Sequence, residues 1–210
     1  MSKRTITCFC ESRFDTEIPD AVDLAAEPGV GEQVQRGDFM TVSCPACGKR
    51  LSFEFPCRFS GIHGGGDMYF IPELDRVAYL RGRLAYDTGK PWRVAIGFPE
   101  LAEKLRIAGK GLDDRVIEIM KYYLLTRSSE QEGMASTEDG EGEVTVLFAG
   151  EEHGKMVFHL AGLRKGEIAV AKLGRDLYSK IEADLEKRIA EDPFKDFCGG
   201  PYVSVRRLSE

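Results

Sequence analysis

Cys8-Phe9-Cys10 is separated by 33 residues from Cys44-Pro45-Ala46-Cys47-Gly48, and the two stretches together carry four thiols. A thiolate is a soft ligand suited to zinc, and a structural zinc ion takes four ligands in a tetrahedron. Two thiolates from one tight turn let backbone N–H groups point at the sulfurs. Pro45 sets φ early in such a turn, and Gly48 supplies a positive φ after the last ligand. Lys49-Arg50 follows, with charge to offset four thiolates. Cys8-x-Cys10 is one residue shorter than the usual half-site. We therefore expect one structural Zn2+ on Cys8, Cys10, Cys44 and Cys47, where strands meet at two turns. A redox pair shares the spacing of Cys44 and Cys47, but it wants the motif at a helix start. Leu51-Ser-Phe-Glu-Phe55 alternates as a strand instead. Cys57 and Cys198 are left over and read as buried thiols, with Cys57 in reserve should Cys8 or Cys10 be no ligand.

Working outward, residues 4–10 and 14–18 read as strands on either side of the first turn, and 39–43 and 51–55 as strands around the second. The insert 19–37 holds a short helix over 32–36, closed by Gly37. Gly61-Ile-His-Gly-Gly-Gly-Asp67 is a glycine loop. A phosphate cradle needs a helix N-terminus directly after it. Met68-Tyr-Phe-Ile71 reads as a strand, so the loop is taken as a connection and His63 as a solvated side chain. Residues 76–84 and 92–98 are expected as strands. Arg76, Arg81, Arg83, Lys90 and Arg93 face the single acid Asp87 between 76 and 93, a solvated strand face and the best local case for an anionic partner.

Pro99 opens a helix that Gly109 ends. A second helix runs through Gly111-Leu-Asp-Asp-Arg-Val-Ile-Glu118 to Leu125. Asp113 is its N-cap, Leu112 and Ile117 its hydrophobic staple, and Val116, Met120, Tyr123 and Leu124 its core stripe. Residues 128–143 lack apolar periodicity, and 128–152 carry eight acids and no Lys or Arg, so 128–143 is read as a disordered acidic loop. Strands 144–148 and 156–160 form a hairpin around 151–154, followed by a strand at 168–173. Leu177, Ile181, Leu185 and Ile189 mark a helix that stops before Pro193, and 202–208 reads as a last strand. His153 and His159 have no partner at metal spacing. The fold class is α+β: zinc-ribbon-like strands around a four-cysteine site, then mixed antiparallel strands and three to four helices. The expected divisions are 1–127, the loop 128–143, and 144–210.

The chain has 210 residues, 42% hydrophobic and 30% charged, an ordinary globular balance. Its net charge of −6 argues against nucleic acid or anionic membrane as a general partner. No apolar run reaches the ~18–20 residues of a spanning helix. Met1-Ser-Lys-Arg-Thr5 lacks the apolar core of a signal peptide, so a reducing cytoplasm is expected.

The two cysteine turns, the long insert and the Gly111–Glu118 helix together resemble the CpXC family of bacterial and archaeal proteins, named for the motif standing here as Cys44-Pro45-Ala46-Cys47. The likeness covers roughly residues 5–127. It implies the metal role for Cys44 and Cys47 first, and for Cys8 and Cys10 after them. The family has no established biochemical function. Three classes stay open: a non-enzymatic module binding an unknown protein partner, a nucleic-acid-binding zinc ribbon using Lys49, Arg50 and the basic 76–93 run, and a hydrolase whose site is assembled from distant residues. The first leads, because no nucleophile, acid–base pair or cofactor loop stands out.

Overall fold

Short alternating segments in the first half of the chain fold back on themselves. The computed structural model describes residues 1–132 and 144–208. β1 (Ser2–Thr7) and β2 (Arg13–Ile18) pair antiparallel, Ser2 opposite Ile18 and Thr7 opposite Arg13. The insert then supplies β3 (Ala21–Asp23) and α1 (Pro28–Arg36), closed by Gly37. β4 (Thr41–Ser43) and β5 (Arg50–Ser52) make a second antiparallel hairpin. Ile6, Cys8, Cys44 and Leu51 form a small core, packed against Phe14, Val42, Phe53 and Phe55.

β6 (Cys57–Ser60), β7 (Met68–Ile71) and β8 (Arg93–Ile96) join β3 in a four-stranded sheet of order β3-β6-β7-β8. The outer pairs are parallel and the central pair antiparallel. Phe39 meets Phe59 and Phe98, and Phe70 stacks on Phe98 at 5.1 Å. The glycine loop runs into β7 and not into a helix. It lies against Trp92, where a Cβ at Gly65 would stand 2.6 Å from the indole.

Residues 76–84, expected as a strand, are instead α2 (Arg76–Leu80) and a turn, preceded by a single 3-10 turn at Glu73–Asp75. The reason is a buried charge. Arg76 makes two bonds to Glu73, of 2.6 and 2.8 Å, and one of 2.9 Å to Glu100. Glu73 and Arg76 are three apart, a spacing that meets on a helix and not along a strand. Glu100 lies in α3 (Gly97–Gly109).

The chain divides into two compact units, Met1–Leu105 and Arg106–Glu210, so the division falls within α3. The second unit is organised by α4 (Asp114–Glu132). Asp113 caps it, its Oδ1 accepting the Arg115 N–H at 2.9 Å. Val116, Ile117, Ile119 and Met120 are fully buried in one core with Phe148 and Phe158. Residues 128–132, assigned above to the acidic loop, are helical; 133–143 lie outside the described residues. β9 (Thr145–Glu152) and β10 (Lys155–Ala161) form the expected hairpin about His153-Gly154, and β11 (Ile168–Gly174) completes a sheet of order β11-β10-β9. α5 (Arg175–Ala183) and α6 (Leu185–Arg188) replace one longer helix, and α7 (Phe194–Cys198) follows.

The last expected strand, 202–208, ends instead in a 3-10 helix at Val205–Leu208. The Val205 N–H donates to Glu118 Oε2 at 2.9 Å, and Lys121 donates to Glu118 Oε1 at 3.0 Å. That side-chain acceptor takes the place of a neighbouring strand. With seven α-helices and both antiparallel and mixed strands among the described residues, the fold is α+β. Only α1, α3, α4 and α5 reach nine residues or more.

Candidate metal centre

Each cysteine pair sits at the tip of a hairpin, Cys8 and Cys10 between β1 and β2, Cys44 and Cys47 between β4 and β5. In the second turn the Gly48 N–H donates to the Cys44 carbonyl at 2.8 Å, and the Cys44 N–H to the Lys49 carbonyl at 2.9 Å. Gly48 is left-handed, φ +72°. The first turn closes in the same way with one residue fewer. The Glu11 N–H donates to the Cys8 carbonyl and the Cys8 N–H to the Ser12 carbonyl, both at 2.9 Å. Glu11, φ +67°, takes the place that Gly48 fills in the other turn. The short Cys8-x-Cys10 spacing therefore keeps both bracketing bonds.

The four sulfurs lie within 4.8 Å of one another, and no histidine or carboxylate joins them among the described residues. Cys8 Sγ is 3.7 Å from Cys47 Sγ, and Cys10 Sγ is 3.7 Å from Cys44 Sγ, each pair crossing between the hairpins. A tetrahedron with metal–sulfur bonds of about 2.3 Å has an edge of about 3.8 Å. Bonded disulfide sulfurs stand at about 2.0 Å, and all four cysteines are free. Cys8 and Cys44 are buried; Cys10 and Cys47 are exposed.

The backbone prepares these sulfurs unequally. Burial pushes the Cys44 thiol up, but the N–H groups of Cys47 and Ala46 outweigh it with help from the neighbouring sulfurs, drawing the pKa down to about 6. The Cys10 N–H lowers Cys8, while burial and the bonds to the other three sulfurs push it up to about 11. Thiolates this close repel one another, and a divalent cation takes the place of their protons. The four cysteines can thus hold a metal ion.

Around the site, Lys49 Nζ lies 4.4 Å from the centre of the Phe9 ring, and Phe9 is 83% exposed. Arg50 turns to Asp38 at 2.8 Å, which holds that carboxyl below its usual range. Of the basic pair expected to offset the thiolates, Arg50 is therefore committed to a carboxylate. Cys57 stands apart from the cluster, buried in β6, where burial pushes its thiol up to about 12. Cys198 is buried in α7 beside the Arg115 carbonyl. The basic run loses Arg76 to the interior, which weakens the anionic-partner face expected there. Sequence reasoning missed the Arg76–Glu73–Glu100 cluster and the Phe9–Lys49 contact. Only the Glu73-x-x-Arg76 spacing signalled the first.

A family model described as CpXC protein matches residues 6–121, more than half of the chain. An uncharacterized protein of Treponema pallidum (strain Nichols) is 25% identical over 221 residues, covering 97% of each chain. No solved structure matches. No helix among the described residues is long and apolar enough to cross a membrane.

Proposed function

This chain belongs to the CpXC family, and from that premise we propose that it is a zinc-stabilised protein-binding module of the cytoplasm. The observation that carries the zinc reading is the 3.7 Å spacing of two sulfur pairs across the hairpins, close to the edge of a tetrathiolate tetrahedron. Thiolates favour zinc over hard cations such as magnesium or calcium. Four sulfur ligands close the coordination shell, so the ion is structural and offers no open position to water or substrate. Cys8, Cys10, Cys44 and Cys47 hold it, and the bonds bracketing each turn orient the sulfurs.

Exposed apolar side chains in the first unit support the protein partner. Leu74 is 97% and Val77 52% exposed, three residues apart, where a helical turn brings side chains together. Against nucleic acid stand the net charge of −6 and the burial of Arg76. X-ray absorption at the zinc edge is expected to give four sulfurs at about 2.3 Å; nitrogen or oxygen in the shell would contradict the site. Affinity capture from the native cell is expected to recover a protein with wild type and to lose it with Leu74→Asp. Recovery of nucleic acid in its place would contradict the module.

A further inference from the structure

The first unit contains a pocket of about 530 Å³ that the metal chemistry does not use. Phe55, Tyr69 and Tyr86 line it with Pro56, Pro72 and Leu74. Its charges are Arg4 against Asp20, Glu54 and Asp75. Asp20 and Glu54 have both carboxylate oxygens engaged. Arg4 stands 3.7 Å from Asp20 and lies over the Phe55 ring at 5.1 Å, while its buried Nε has no hydrogen-bond partner among the described residues. Asp20 also takes the N-terminal ammonium and the Ser2 hydroxyl. Glu54 accepts the N–H groups of Glu73 and Phe98, at 2.6 and 2.9 Å.

Asp75 is different. Its Oδ2 accepts the Tyr86 hydroxyl at 2.7 Å, and its Oδ1 has no hydrogen-bond or ion-pair partner among the described residues. A carboxylate without a cation thus stands beside two tyrosine rings whose centroids are 6.4 Å apart. The aromatic faces here already attract guanidinium groups, Arg4 on Phe55 and Arg58 on Tyr69 at 5.4 Å. A negative excess beside π-faces selects a cation on an apolar stem. A phosphate or carboxylate ligand would meet repulsion. Pro56, Pro72 and the 97%-exposed Leu74 extend the apolar lining, a surface suited to an extended peptide carrying that cation.

We propose that this pocket receives a lysine or arginine side chain from an extended segment of the partner protein, its stem between the aromatic and proline walls and its charged head at Asp75. The assignment rests on the protein-binding reading above. The test titrates the full-length, metal-loaded chain with acetyl-Pro-Pro-Arg-Pro-amide, followed by NMR and calorimetry. Parallel titrations use the same peptide with citrulline for arginine, and free spermidine. Saturable binding that shifts Leu74, Tyr69 and Tyr86 is expected, about tenfold weaker for the citrulline peptide. Asp75→Asn keeps an acceptor for Tyr86 but removes the charge, and is expected to weaken binding by a similar factor. Leu74→Ser, at a fully solvated position, is expected to weaken it without altering thermal stability. Equal binding of the citrulline peptide, no effect of Asp75→Asn in a folded variant, or tighter binding of spermidine than of the arginine peptide would overturn the assignment. A silent peptide probe alongside Leu74-dependent capture of a native partner would overturn the pocket and leave the protein-binding reading standing.

Discussion

Glu11 and Gly48 stand at equivalent places in the two cysteine turns, and both are left-handed. A side chain in that conformation costs about 1–2 kcal/mol. Gly48→Ala is therefore expected to destabilise by about 1 kcal/mol or more, and Glu11→Gly to be neutral or mildly stabilising. Denaturant midpoints at fixed metal content check both. Arg76 is a second residue whose cost is predictable. It is 4% exposed against a Glu100 that is 3% exposed, so Arg76→Met leaves a buried carboxylate without this partner, a loss of about 3–5 kcal/mol. A change below about 1 kcal/mol in the same measurement would mean that the pair is not desolvated as described. Cys57 supplies a pH test. Its folded pKa is raised by burial from 9.0 to about 12, so the unfolded chain loses the proton first. Its contribution to stability is intact below about pH 9 and falls as pH rises toward 12. Cys57→Ala should flatten the decline of stability above pH 9, and an unchanged slope would count against that burial.

At the scale of elements, Asp113 caps α4 through its bond to the Arg115 N–H and also binds the Arg115 guanidinium. Asp113→Ala is expected to cost about 1 kcal/mol, and Asp113→Asn, which keeps the cap, distinctly less. Thermal melts of the two variants separate capping from charge. What was legible in the chain follows the same division. The cysteine turns, the His153-Gly154 hairpin, the Gly37 end of α1 and the Asp113 cap of α4 are set by residues within a few positions of one another and could be read directly, whereas α1 starts at Pro28, four residues before the expected 32. The misread segments are governed from a distance. Arg76 looked like one of five basic residues on a strand because one of its partners, Glu100, is 24 residues further on. Residues 202–208 look like a strand by alternation, but the acceptor that satisfies Val205 is Glu118, 87 residues earlier. β3 and β6 are three and four residues long and pair in parallel across residues 24–56, so neither has a hairpin signal. The pocket residues Phe55, Tyr69, Asp75 and Tyr86 share no motif, which is why the site emerges only from the fold.

At the scale of the whole molecule, two units follow one another, and the four-cysteine cluster belongs to the first. A structural tetrathiolate zinc site contributes on the order of 10–16 kcal/mol of apparent binding energy near neutral pH. A typical domain has a net stability of only about 5–15 kcal/mol. Chelation under reducing conditions is therefore expected to unfold the cysteine hairpins, while α4 and the β9–β11 sheet keep their protection in hydrogen exchange. Loss of protection across both units at once would show that the second depends on the metal too. The central claim is that four cysteines hold one zinc ion that organises the first unit, and elemental analysis of protein purified without added metal tests it most directly. One zinc per chain is predicted for wild type and for Cys57→Ser, with metal content and melting temperature lowered in Cys10→Ser and Cys44→Ser. A folded, reduced wild-type protein that holds no metal would contradict the account, as would full metal in Cys10→Ser together with its loss in Cys57→Ser.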